Sequence, residues 1–158
     1  MRKALAILAL ALSLTLVSCS DGAGPGSRRP TSGELAQQRE LWGERGIEDY
    51  VLTVRRVCEC LPEAIGPVEV RVRDGVAVSR TYRATGLPVD PPHADLFPTV
   101  EGLFDAVEDG IRRDAERLEV EYAPLGFPSR VLIDVRRLVG DDEMVLEASE
   151  LVPEEGRA

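Results

Sequence analysis

The spacing of apolar residues changes several times along the chain. Ala4 to Leu16 is an apolar run broken only by Ser13 and Thr15, and Arg2 and Lys3 precede it. From Thr31 to Gly46 the period is helical, with Leu35, Leu41 and Trp42 on one stripe. Thr31 and Glu34 fit a capping box, Ser32 competes as the cap, and Gly46 is a stop signal. From Tyr50 to Leu61 the period becomes two. Tyr50, Leu52, Val54, Cys58 and Cys60 share one face, and Arg56 interrupts it, which places it at a sheet edge or a bulge. Pro62 ends that run. Val68, Val70 and Val72 then alternate with Glu69, Arg71 and Arg73. Asp74-Gly75 follows, and Val76 and Val78 continue, which predicts a tight hairpin. Residues 83–98 carry Pro88, Pro91, Pro92 and Pro98 and read as a loop.

The second half repeats this order. Thr99 to Arg117 reads as a helix capped by Thr99, with Val100, Leu103, Phe104, Val107 and Ile111 at helical spacing. Glu101 and Asp105 sit early and Arg112, Arg113 and Arg117 late, which suits the helix dipole. Leu118, Val120 and Tyr122 form one alternating run, Val131, Ile133 and Val135 a second, and Met144, Leu146 and Ala148 a third. Turns at Gly126-Phe127-Pro128 and Gly140-Asp141-Asp142 separate them. The predicted fold is α+β: an antiparallel sheet with two main helices packed on one face, in the order α-β-β-β-α-β-β-β.

The apolar start changes the picture of where the domain works. At about 13 residues it is too short for a span, which needs roughly 20. Leu16-Val17-Ser18-Cys19 then reads as an export signal ending at a lipobox cysteine. Residues 1–18 are expected to be cleaved and Cys19 lipidated, so that acyl chains such as palmitate hold the protein on a membrane. Ser20, in place of an Asp, points to the outer membrane facing the periplasm if the cell has two membranes. Residues 19–33 are expected to be a flexible tether rich in Gly, Ser and Pro, residues 34–152 a single domain, and residues 153–158 a frayed tail. Loss of residues 1–18 removes Arg2 and Lys3 and no acid, taking the formal charge from −9 to −11. Such a surface disfavours nucleic acid, whose phosphates need clustered cations.

Candidate chemistry is sparse. Cys58-x-Cys60 is the main pair of reactive residues, and export makes a disulfide permissible. On a regular strand their Cβ atoms would stand about 6.6 Å apart, twice the strand rise. A disulfide needs roughly 3.5–4.5 Å, so closure requires a bulge or turn. A local disulfide, buried free thiols, and a redox or metal site are the competing readings. A zinc site needs four ligands, and His93 is the sole imidazole. Asp134, Asp141, Asp142 and Glu143 gather near one turn without the EF-hand pattern and read as a solvated hairpin. Glu119 and Glu121 share a strand face and read as salt-bridged surface. One histidine and no G-x-S-x-G elbow leave no recognisable triad.

Several short motifs occur in a recognisable sequence. They are Trp42 with Ile47-x-x-Tyr50, Cys58-Glu59-Cys60, Val70-x-x-x-Asp74-Gly75, Thr99-Val100-Glu101-x-Leu103-Phe104, Tyr122-x-x-x-Gly126-Phe127-Pro128, Ile133-Asp134 and Asp142-Glu143. Over roughly residues 40–150 the chain resembles the bacterial lipoprotein and secreted family called domain of unknown function 6174. The resemblance implies an exported, usually lipid-anchored domain, and it supplies no activity and no catalytic residue. The expected function is that of a lipid-anchored envelope protein, a non-catalytic binding module for an envelope protein or a small ligand, with no cofactor. The alternative is thiol–disulfide or metal handling by Cys58 and Cys60.

Overall fold

The computed structural model describes residues 29–135 and 143–154. Cys19, Asp141 and Asp142 lie outside the described residues. The first helix, α1 (Ser32–Glu44), starts at a complete capping box. The Thr31 hydroxyl accepts from the Glu34 amide at 3.1 Å, and the Glu34 carboxylate accepts from the Thr31 amide at 2.9 Å. Such a cap contributes about 1 kcal/mol. The tether is shorter than expected at this end. Arg29 already donates to the Ala115 carbonyl and to Asp114, both at 2.7 Å.

Six antiparallel strands follow: β1 (Tyr50–Val57), β2 (Val68–Arg73), β3 (Val76–Tyr82), β4 (Arg117–Tyr122), β5 (Pro128–Asp134) and β6 (Glu143–Pro153). The second helix, α2 (Val100–Arg112), lies between β3 and β4 in the chain and stops short of Arg117, which opens β4. The element order is the α-β-β-β-α-β-β-β expected, and the fold is α+β. Across the sheet the order is β3-β2-β1-β6-β5-β4. The two halves meet through β1 and β6, the first strand of one and the last of the other. The repeated pattern therefore does not produce a two-fold join, which would pair like strands.

Alternation assigns the faces. Tyr50, Leu52, Val54, Val68, Val70, Val72, Leu118, Val120, Val131 and Leu146 are buried in one core with Leu103, Phe104 and Val107 of α2 and Leu35 and Trp42 of α1. The proline-rich segment is not plain loop. Pro91–Leu96 forms a 3-10 helix, and Phe97 beyond it is fully buried against Tyr82, their rings 6.2 Å apart. This segment covers the β2–β3 end of the helix-bearing face. Its Val89 amide also bonds the Arg80 carbonyl on the outer edge of β3.

Two further boundaries differ from the sequence reading. Strand β1 ends at Val57, four residues early; its last pairings are Arg56 with Leu146 and Val57 with Val145, and the Arg56 amide bonds the Ile65 carbonyl at 2.8 Å. Arg56 therefore sits at the end of an interior strand, neither on a sheet edge nor at a bulge. At the far end, Pro153 still pairs with Tyr50, and Glu154 accepts from Arg71 at 2.7 Å, so these two residues belong to the domain and not to a frayed tail.

Candidate functional site

Four places gather polar groups. The first joins both helices to the sheet. Trp42 in the last turn of α1 donates from Nε1 to Glu101 Oε1 at 3.1 Å. The Tyr50 hydroxyl donates to Glu101 Oε2 at 3.0 Å and accepts from the Val100 amide at 3.0 Å. Burial, first of all, pushes the Tyr50 phenol well above the usual tyrosine range. The Trp42 ring stands edge-on to Tyr50 and Phe127, at 5.7 and 5.9 Å. Three of the seven motifs in the chain's resemblance, those of Trp42 and Tyr50, of Glu101 and of Phe127, meet here. Every donor is spent inside the knot, so its chemistry is that of a fastener.

The second lies on the helix-free face. Thr53 of β1 is buried, and its hydroxyl donates to Glu150 Oε2 at 3.0 Å while Arg83 donates to the same hydroxyl at 3.2 Å. Arg83 and Glu150 are also paired directly. Glu150 stands at a register shift opposite Val51 to Thr53, with φ of 53°. That left-handed conformation costs a side-chain-bearing residue about 1–2 kcal/mol. Around it the face is a lattice of ion pairs: Arg55 with Glu147, Arg71 with Glu69 and Glu154, Arg117 with Glu119 and Glu143. Glu119, one of the two strand carboxylates noted in the sequence, is thus a salt-bridged surface group.

The third is the cysteine pair. Because β1 stops at Val57, Cys58 and Cys60 fall in a bend and no longer share a strand face. Their Cα atoms approach to 5.3 Å and their sulfurs lie at bonding distance, 2.11 Å. Both residues are half-buried. In the chain-entropy account, closing so short a loop contributes about 1.5 kcal/mol, against about 4.7 for a 100-residue loop. The bridge therefore shapes the bend more than it secures the fold. Two residues upstream, Arg56 is half-buried and donates to the Ala64 carbonyl at 3.3 Å and to the Met144 sulfur at 3.1 Å. Among the described residues it has no carboxylate partner, and burial alone holds it below the usual arginine range. Its neighbour Arg55, by contrast, faces Glu147 at 3.7 Å.

The fourth is a cleft of about 310 Å³ at the opposite end of the sheet, lined by Gly46, Glu48, Asp49, Asp74 and Glu154, among others. Two of its acids are engaged. Asp49 accepts from the Asp74 amide at 2.8 Å, and Glu154 from Arg71. His93 lies in the 3-10 helix with Nδ1 buried and without a hydrogen-bond partner. Asp134 and Glu143 are cross-strand partners. Among the described residues, no three His, Cys, Asp or Glu side chains group as a metal site would require. No described helix is long and apolar enough to cross a membrane.

The sequence singled out the cysteines but missed Thr53, Arg83 and Glu150, which are separated by up to 97 residues. No curated protein and no solved structure matches the chain. A family model does, over residues 34–153, a span that holds all six strands, α2 and all but the first two residues of α1; the chain belongs to the family of unknown function DUF6174.

Proposed function

We propose that the protein is a non-catalytic binding module of the cell envelope, held to a membrane by lipid on Cys19, and that the helix-free sheet face meets a protein partner. The anchor rests on the cationic start, the short apolar run and Leu16-Val17-Ser18-Cys19. Where the cell has two membranes, Ser20 directs it to the outer one, facing the periplasm. Only nine residues lie between Cys19 and Arg29, where the chain fastens to Asp114 and Ala115 just ahead of β4. A chain of that length reaches at most about 35 Å, which keeps the domain close to its membrane.

The observation that carries the binding reading is Glu150. A bulged residue held at positive φ re-aims its side chain, and such strain clusters at functional positions. Here it brings a carboxylate over the middle of an open sheet face, onto Thr53 and Arg83. Six strands make that face roughly 24 Å wide. A broad face of alternating charge suits a polypeptide surface of mixed charge, whereas small ligands take concave apolar pockets.

A photo-crosslinking side chain at Ser149, exposed on this face, tests the reading in the membrane-anchored protein. We expect one reproducible protein adduct from Ser149, none from the same group at Glu108 on the outside of α2, and loss of the adduct in Glu150→Gly. No adduct from Ser149, or equal adducts from both positions, contradicts it.

A further inference from the structure

The cysteine bend has properties that a structural staple does not need. A bridge between residues two apart joins no distant parts of the chain. It lies beyond the last β1 pairing, so its opening breaks no strand ladder. Leu61, immediately after Cys60, has 71% of its surface exposed, an apolar seat beside the sulfurs. Arg56, two residues before Cys58, donates to the Ala64 carbonyl, four residues after Cys60, and to the Met144 sulfur, and has no carboxylate partner among the described residues. A cation near a cysteine favours its thiolate, and a stabilised thiolate makes a disulfide easier to reduce. Glu59 and Glu63, the acids of the bend, are exposed, where water and salt screen them.

We propose that Cys58 and Cys60 are a thiol–disulfide exchange centre that accepts electrons from a dithiol on another polypeptide, with Arg56 as the group that stabilises the departing thiolate. In the first step a thiolate of the partner attacks one of the two sulfurs. The Cys58–Cys60 bond breaks, a mixed disulfide forms, and the other cysteine leaves as a thiolate. In the second step the partner's remaining thiolate attacks its own sulfur in the mixed disulfide and releases the first cysteine. Two electrons and two protons pass in all: the partner ends as a disulfide and the pair as two thiols. Arg56 acts on the sulfurs without touching the partner, and is a positioning residue.

The test equilibrates the mature protein in glutathione buffers of defined ratio and reads the reduced fraction by alkylation and mass. We expect reversible reduction with unchanged far-ultraviolet circular dichroism. Arg56→Gln should move the equilibrium toward the disulfide by about three- to tenfold, as loss of a neighbouring cation raises the thiol pKa. Arg56→Lys should restore it, and Arg112→Gln on α2 should leave it alone. A second readout needs no variant: in the reduced wild type, the pH dependence of alkylation should place one thiol below the ordinary value of about 8.5. Reduction only on unfolding, an unchanged equilibrium in a folded Arg56→Gln protein, or both thiols at or above the ordinary value overturns the proposal.

Discussion

The indole nitrogen of Trp42 donates to the carboxylate of Glu101 over 3.1 Å, joining the last turn of one helix to the first turn of the other across 59 residues of chain. Tyr50 gives the same carboxylate a second hydrogen bond from the sheet beneath. Glu101→Ala leaves both donors without their acceptor. An unmet buried donor costs about 1–3 kcal/mol. We expect Glu101→Ala to lower the unfolding free energy by that order, read as a lower urea midpoint with an unchanged slope, and Glu101→Gln, which keeps an acceptor, to lose less.

The tyrosines make stability fall at high pH. Burial pushes Tyr122 up to about 12, helped by the charge of Glu34, and raises Tyr50 and Tyr82 as well. In the unfolded chain all three ionise near the usual value of about 10. Above that pH the unfolded state releases protons that the folded state keeps. The contribution is therefore intact below about pH 10 and is lost as pH rises toward 12. Phenolate absorbance should be nearly absent in the folded protein at a pH where the denatured protein already shows it. Tyr122→Phe should flatten part of the decline in unfolding free energy.

Much of this arrangement was legible in the sequence, and the reason is local. Thr31 with Glu34, and Thr99, announce helix starts because a cap is a contact over three residues. Asp74-Gly75 announces its hairpin because both residues take the positive φ that the turn demands, 48° and 72°. The valine alternation names the buried face of β2 because side chains on a strand alternate whatever lies beyond it. What could not be read is set by distant chain. The pattern of Tyr50 to Leu61 runs on as a strand, yet the last pairing is that of Val57 with Val145 and the chain then bends. Glu150 sits in an ordinary-looking run, and the bulge that turns it onto Thr53 exists only once β1 and β6 are paired.

Gly126 is a position where a side chain cannot be added. Its φ is +97°, and a Cβ there would stand 3.1 Å from Leu41 and 3.2 Å from the Trp42 amide. The turn between β4 and β5 thus supports the last turns of α1. Strain at positive φ and overpacking each cost about 1–3 kcal/mol. Gly126→Ala should lower the unfolding free energy by more than about 2 kcal/mol, seen in chemical denaturation.

Glu150 separates binding from folding. Glycine there relieves the left-handed backbone, about 1–2 kcal/mol, and gives up a surface ion pair and the Thr53 hydrogen bond, together worth about as much. The melting temperature of Glu150→Gly should therefore stay near that of the wild type. Substantial destabilisation would mean that the bulge serves the fold and not a partner.

The envelope address governs the whole account, and intact mass of the membrane-extracted protein measures it most directly, with and without reduction and thiol alkylation. We expect a chain that begins at Cys19, carries acyl chains, and takes up two alkyl groups only after reduction. The mass of the full 158-residue chain without lipid, recovered from the cytosol with both thiols open to alkylation, would contradict the account.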